Sequence, residues 1–346
     1  MACLGGTYHV EMNLCMTTDS YCALPEAGKR KLYMVELLRI WFISCVIVCH
    51  LPCLRADVMQ VLHTSGQAAY RAVEFFYIIG GFFLYKKLVH GTQQPYETIK
   101  RIYFRLLPVT LFALVLTVTL GASKLAQVPF ALAHLNALGF RPTSVVGGGD
   151  WFISVYFWVS CLLVGIFQTA SKYRWLWLGA LVYLCMMLKL YAPIIPNSGH
   201  KETYGLYQYW FISAGLVRGI VCMGIGMFSS FLADKISLPD KWPLRLLCTV
   251  VEIACLVSLF NFLLNTKHSH LSYFEALLSM AGLMISISHS WGYISSTVNK
   301  WRCVQYVSRY CLSFLIGHMV CLSILRRFHH FGWNDYSCEI FVVGGV

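Results

Sequence analysis

Three ionisable residues stand in the first long apolar run, Met34 to His50: Glu36, Arg39 and His50. Glu36 and Arg39, three apart, share a helix face and can pair, which lowers the cost of burying either. Arg39 and His50 are eleven residues apart. At about 1.5 Å and about 100° per residue, that is about 16 Å of rise and a return to within about 20° of the same face. A guanidinium and an imidazole about half a bilayer apart on one wall suit an anion-binding group and a proton acceptor, because an imidazole of ordinary pKa, about 6.5, serves as a general base at neutral pH. Taken singly, each has a simpler explanation: Arg39 can snorkel to the headgroups and His50 can cap the outer end of the helix.

Other candidates lie further along. Glu74 opens the second apolar run at the depth of His50, where a carboxylate can hold the imidazole in one tautomer or simply sit at the interface. Gly80 and Gly81 permit close helix approach. Arg101 and Arg105, four apart, present two guanidinium groups on one face at the start of the third run. They can grip a phosphorylated ligand or act as topology anchors. Trp151 and Phe152 can line a cavity or pack. Arg218 lies mid-run, where insertion is costly, so a ligand or an ion pair with Glu252 or Glu275 is expected. His318 stands alone on an apolar run, facing either the same cavity or a hydrogen-bonded packing site.

The elements that must position these residues are membrane helices. The chain is 58% hydrophobic and only 12% charged, about half the charge of a soluble domain at roughly 25%. Apolar runs of spanning length cover 34–54, 68–85, 104–122, 150–169, 175–192, 209–231, 246–264, 272–291 and 304–325. Segment 125–140 is shorter and broken by Pro129, His134 and Asn136, so it is either a re-entrant or interfacial helix or a further span. The fold class expected is all-α, a polytopic transmembrane bundle of about 9–11 spans. It occupies 34–325, with a cytoplasmic tail at 1–33 and a C-terminal tail at 326–346.

The net charge of +12 resides mostly in short connections. It marks topology rather than a nucleic-acid partner, and the basic clusters fall on alternate connections, which places the N-terminus inside. The 15 cysteines are scattered through apolar runs without zinc spacing, so neither a disulfide framework nor a metal site is expected.

Six stretches together resemble one known family. "ELLRIWFISCVIVCH" is similar to the first-span motif of the membrane acyltransferase-3 family, and "VEFFYIIGGFFL" to its second-span motif. "RIYFRLLP" resembles the Arg-x-x-x-Arg-x-x-Pro entry to its third span. "DWFISVYFWV", "RGIVCMGIGMF" and "YCLSFLIGHMV" follow in the family's order, so that the resemblance runs from residue 36 to residue 320. Two positions depart from the pattern. Tyr156 stands where many members have Glu, and Gly317 stands where an aliphatic residue usually precedes the final His.

The resemblance implies ten spans and a bacterial inner-membrane location. It also implies transfer of an acetyl or other short acyl group from cytoplasmic acyl-CoA, a co-substrate rather than a bound cofactor, to a hydroxyl of an envelope polysaccharide or glycolipid. Arg101 and Arg105 would hold CoA phosphates, and Arg39 a phosphate, the pantetheine arm or the thioester oxygen. His50 would be the general base or a transient acyl carrier, with Glu74 orienting it. Trp151, Arg218 and His318 would face the acceptor. Two competing classes use the same residues differently. A transporter or flippase would use the buried Glu, Arg and His as a substrate or proton path, although the discontinuous helices and paired halves of such proteins are not evident. A sensor or scaffold would not need His50 at all.

Overall fold

Runs of about twenty apolar residues satisfy their backbone polar groups internally only as helices, and helices are what form. The structure is a computed structural model that describes residues 32–50, 69–91, 94–119, 125–136, 138, 150–169, 172–191, 208–209, 212–264 and 270–328. Of the expected tails, 1–33 and 326–346, residues 1–31 and 329–346 lie outside the described residues, as does the side chain of His50, and 326–328 continue the last helix.

Twelve α-helices follow one another among the described residues: α1 Tyr33–His50, α2 Val73–His90, α3 Pro95–Thr119, α4 Val128–Leu132, α5 Asp150–Thr169, α6 Arg174–Tyr191, α7 Ala214–Lys235, α8 Trp242–Leu264, α9 His270–His289, α10 Tyr293–Val298, α11 Val304–Ser308 and α12 Cys311–Phe328. Among the described residues nine have 18 or more residues, one for each apolar run in the sequence and one fewer than the ten spans the resemblance implies. Four of them, α3, α5, α7 and α8, are long and apolar enough to cross a membrane by length and composition. The only strands among the described residues are Gln208–Tyr209 and Ile212–Ser213, paired antiparallel. They lead directly into α7, whose N-cap Ser213 accepts a hydrogen bond from the Leu216 amide at 3.1 Å.

Helix boundaries shift where polar residues join a helix. The third run was expected to begin at 104, but α3 starts nine residues earlier at Pro95, a residue pre-organised for a first helical turn. Glu97 and Lys100 pair across its first turns at 3.7 Å. The last run, expected from 304, divides into the five-residue α11 and the longer α12.

Contacts between helix ends fix the arrangement. The Met34 amide donates to Asn299 Oδ1 at 2.9 Å, His90 pairs with Asp234 at 2.7 Å, and His289 is 2.8 Å from the Ala233 carbonyl. The start of α1 and the ends of α2, α7 and α9 therefore meet at one end of the bundle, here called basal. At the opposite, distal end Glu74 of α2 meets Arg218 of α7. There also the Lys189 ammonium of α6 lies over the Tyr273 ring of α9, 3.2 Å from its centroid.

α7 is the centre, with 72% of its apolar window buried, while α8 lies at the rim with only 22% buried. The outer faces are apolar: Leu247, Val250 and Val257 of α8 and Phe112 and Val115 of α3 are all exposed, as lipid contact requires. Against α7 packs α2, with backbones touching. A Cβ on Gly81 would overlap the Met223 carbonyl, and one on Gly226 would overlap the Ile78 carbonyl.

Segment 125–140 is not a further span among the described residues. α3 ends at the distal end and α5 begins there, yet Tyr103 Oη donates to the Leu132 carbonyl at 3.2 Å. Tyr103 lies sixteen residues before Thr119, about 24 Å along α3, so the chain re-enters the bundle. It turns at His134, whose φ is 51°. The amides of Leu135 and His134 bond back to the carbonyls of Phe130 and Ala131, which closes a helix C-terminus in the Schellman manner.

Candidate functional site

α1 carries Arg39 and His50 without a break, so the rise of about 16 Å applies. Arg39 Nη1 donates to Glu36 Oε1 at 2.8 Å, with both side chains largely buried. The i,i+3 pair expected from spacing is present, in the basal third of the helix.

On α2, Glu74 is buried to 1% exposure. Its Oε1 accepts from Arg218 Nε at 3.1 Å and Nη2 at 2.7 Å. The expected partners of Arg218 were Glu252 and Glu275, and both are committed elsewhere. Glu252 accepts from the Ser286 hydroxyl at 2.6 Å and the Ser295 amide at 3.1 Å, and so holds the first turn of α10. Exposed Glu275 accepts from Ser258 at 3.0 Å. The physical reason is position: Glu74 and Arg218 are both near the distal ends of helices that pack together, whereas Glu252 sits midway along α8 facing Ser286 and Ser295, and Glu275, though near the distal start of α9, is exposed on its outer face.

Glu74 Oε2 is buried with no hydrogen-bond partner among the described residues. Around the pair stand Trp151, whose ring lies 5.6 Å from the Arg218 guanidinium carbon, and Tyr77, whose hydroxyl donates to the Phe152 carbonyl at 3.5 Å. Tyr273 approaches Cys222 at 3.8 Å. Trp151, Arg218 and Glu74 thus form one distal cluster, with Phe152 tilted against Tyr77 at 4.9 Å.

Arg101 and Arg105 differ. Arg101 is exposed, whereas Arg105 is half-buried and Nη2 donates to the Tyr156 hydroxyl at 3.5 Å. Arg39 thus pairs within α1, and Arg105 reaches across to α5. His318 Nδ1 is 2.9 Å from the Phe314 carbonyl one turn earlier in α12, a contact within its own helix. A Cβ on the neighbouring Gly317 would meet open space.

Sequence reasoning passed over two contributors. Lys189 is a cation in an apolar run, a signal of the kind that marked Arg218. Asn299 bonds the Met34 amide and, through Nδ2, the Ser290 hydroxyl at 2.7 Å; no local pattern marks it.

A bundle with a buried ion pair near its distal end, a part-buried one near its basal end and an apolar rim defines a membrane protein whose interior holds polar groups. A family model described as an acyltransferase domain matches residues 32–344, nearly the whole chain. The protein is a membrane acyltransferase, and it belongs to the acyltransferase-3 family. Comparison with curated proteins and with solved structures returns no match.

Proposed function

We propose that this protein moves an acetyl or other short acyl group from cytoplasmic acyl-CoA, entering at the basal end, to a hydroxyl of an envelope polysaccharide or glycolipid at the distal end. The observation that carries this reading is the unbroken α1. It sets a half-buried Arg39 and the residue His50 about 16 Å apart on one helix, a separation an extended pantetheine arm can bridge.

The roles follow from chemistry. Arg101, exposed, Arg39, at a similar depth but half-buried, and Arg105, one turn deeper, would take the anionic and polar parts of the donor. His50 accepts the proton of the acceptor hydroxyl as its oxygen bonds to the thioester carbon. The C–S bond then breaks, and the departing thiolate takes up the proton, leaving an ester and free CoA. In the two-step form His50 carries the acyl group between donor and acceptor. Glu74, with Arg218 on one carboxylate oxygen, has the other oxygen for a donor group of His50. Trp151, Arg218 and His318 would border the acceptor.

The test is acyl transfer by purified protein from radiolabelled acetyl-CoA to an envelope glycan fraction. His50→Ala should lower transfer by about 10²–10⁴-fold. Transfer that does not depend on His50 would sink the reading. Vesicle uptake of glycan without its acylation would replace it with a transporter.

A further inference from the structure

Tyr156 stands at a departure from the family pattern, and three helices converge on it. From α3, Arg105 Nη2 donates to its hydroxyl at 3.5 Å. From α2, Gly80 makes room for its ring, which a Cβ there would strike. From its own helix, Phe152 lies one turn away with ring centroids 6.2 Å apart. The residue is only partly buried, so its contacts do not seal it.

Depth along the helices places this junction. Arg105 is ten residues, about 15 Å, from the basal start of α3, and Gly80 is ten residues from the basal end of α2. Counted in the same way on α1, Arg39 lies about 9 Å and His50 about 25 Å from the basal end. The junction of Tyr156 with Arg105 is thus between them in depth. A phenol is both donor and acceptor. With Arg105 approaching its oxygen at 3.5 Å, the hydroxyl proton is left to point elsewhere.

We propose that Tyr156 is a positioning residue for the acyl donor: its hydroxyl, held by Arg105, donates to an amide carbonyl of the pantetheine arm on the way from Arg39 to His50. This rests on the acyl-CoA reading above. The arm carries two amide carbonyls between its phosphate and its sulfur, which is the acceptor chemistry a phenol hydroxyl fits. A carboxylate at this position would pair with Arg105 and offer no proton to a carbonyl. Tyr156 therefore gives this chain a contact to the donor that a Glu cannot make.

Tyr156→Phe tests this, because the ring over Gly80 is kept and only the hydroxyl is lost. In the purified full-length protein the expected result is a rise of about three- to tenfold in the KM for acetyl-CoA, the loss of one hydrogen bond, with a smaller change in kcat and an unchanged melting temperature. An unchanged KM overturns the proposal. So does a fall in kcat with a lowered melting temperature and the same KM, which would make Tyr156 a packing strut. If the unsubstituted protein transfers no acyl group from acetyl-CoA, the underlying reading fails. If it transfers normally and Tyr156→Phe matches it, the role of Tyr156 alone is refuted.

Discussion

Arg218 places two donors on a single carboxylate oxygen of Glu74, at 3.1 and 2.7 Å, and so ties α2 to α7 across 144 residues of sequence. Removing one partner strands a buried charge, which costs about 3–5 kcal/mol, whereas removing both costs less. Glu74→Leu and Arg218→Met should each lower the melting temperature in detergent sharply, and the double variant should recover part of the loss. Additive losses would show that the pair is not a coupled unit.

The glycines between α2 and α7 make a second prediction. Gly81→Ala and Gly226→Ala each drive a Cβ into a carbonyl of the facing helix. Overpacking of this kind costs about 1–3 kcal/mol or more. Gly165→Ala and Gly317→Ala, where a Cβ would meet nothing within 4 Å, should fold as the parent does. Yield and melting temperature distinguish the two sets.

Two glutamates predicted as equivalent partners should behave differently. Glu252, 1% exposed, holds the Ser286 hydroxyl and the Ser295 amide, and Glu252→Ala leaves these buried donors unsatisfied at about 1–3 kcal/mol each. Exposed Glu275 has one hydroxyl contact, and Glu275→Ala should stay within about 0.5 kcal/mol of the parent. Thermal unfolding of the two variants side by side provides the measurement.

The arginines of α3 should also separate. Arg105→Ala removes a half-buried guanidinium held at Tyr156 and should raise the KM for acetyl-CoA by about tenfold or more, in line with a charged hydrogen bond. Arg101, exposed at the rim, should show a smaller effect that fades as salt rises, because exposed charges are screened. Donor titrations at low and high ionic strength decide it.

The parts of this architecture legible in the sequence are those set by local geometry. Bilayer thickness dictates the length of an apolar run, so nine runs became nine long helices, and helical spacing alone brings Glu36 to Arg39. The partner of Arg218 was not legible, because several carboxylates stood at plausible depths and pairing across 144 residues depends on which helices pack together. Nor was the course of 125–140. Its apolar content suits a span, and it is the tertiary contacts, Leu132 with Tyr103 and His134 with Tyr103 and Phe157, that show that it turns back. Tyr156 was visible as an unusual residue, but its meeting with Arg105 depends on α3 and α5 lying side by side.

The backbone contact between α2 and α7 bears on motion. Helices meeting through carbonyls and glycines have no side-chain layer to shear, because any slide of one residue drives a bulky Cβ into the neighbouring backbone. With Glu74 and Arg218 locked at one end and His90 and Asp234 at the other, this pair is a stationary axle. Any opening that admits a substrate must come from helices that turn about it.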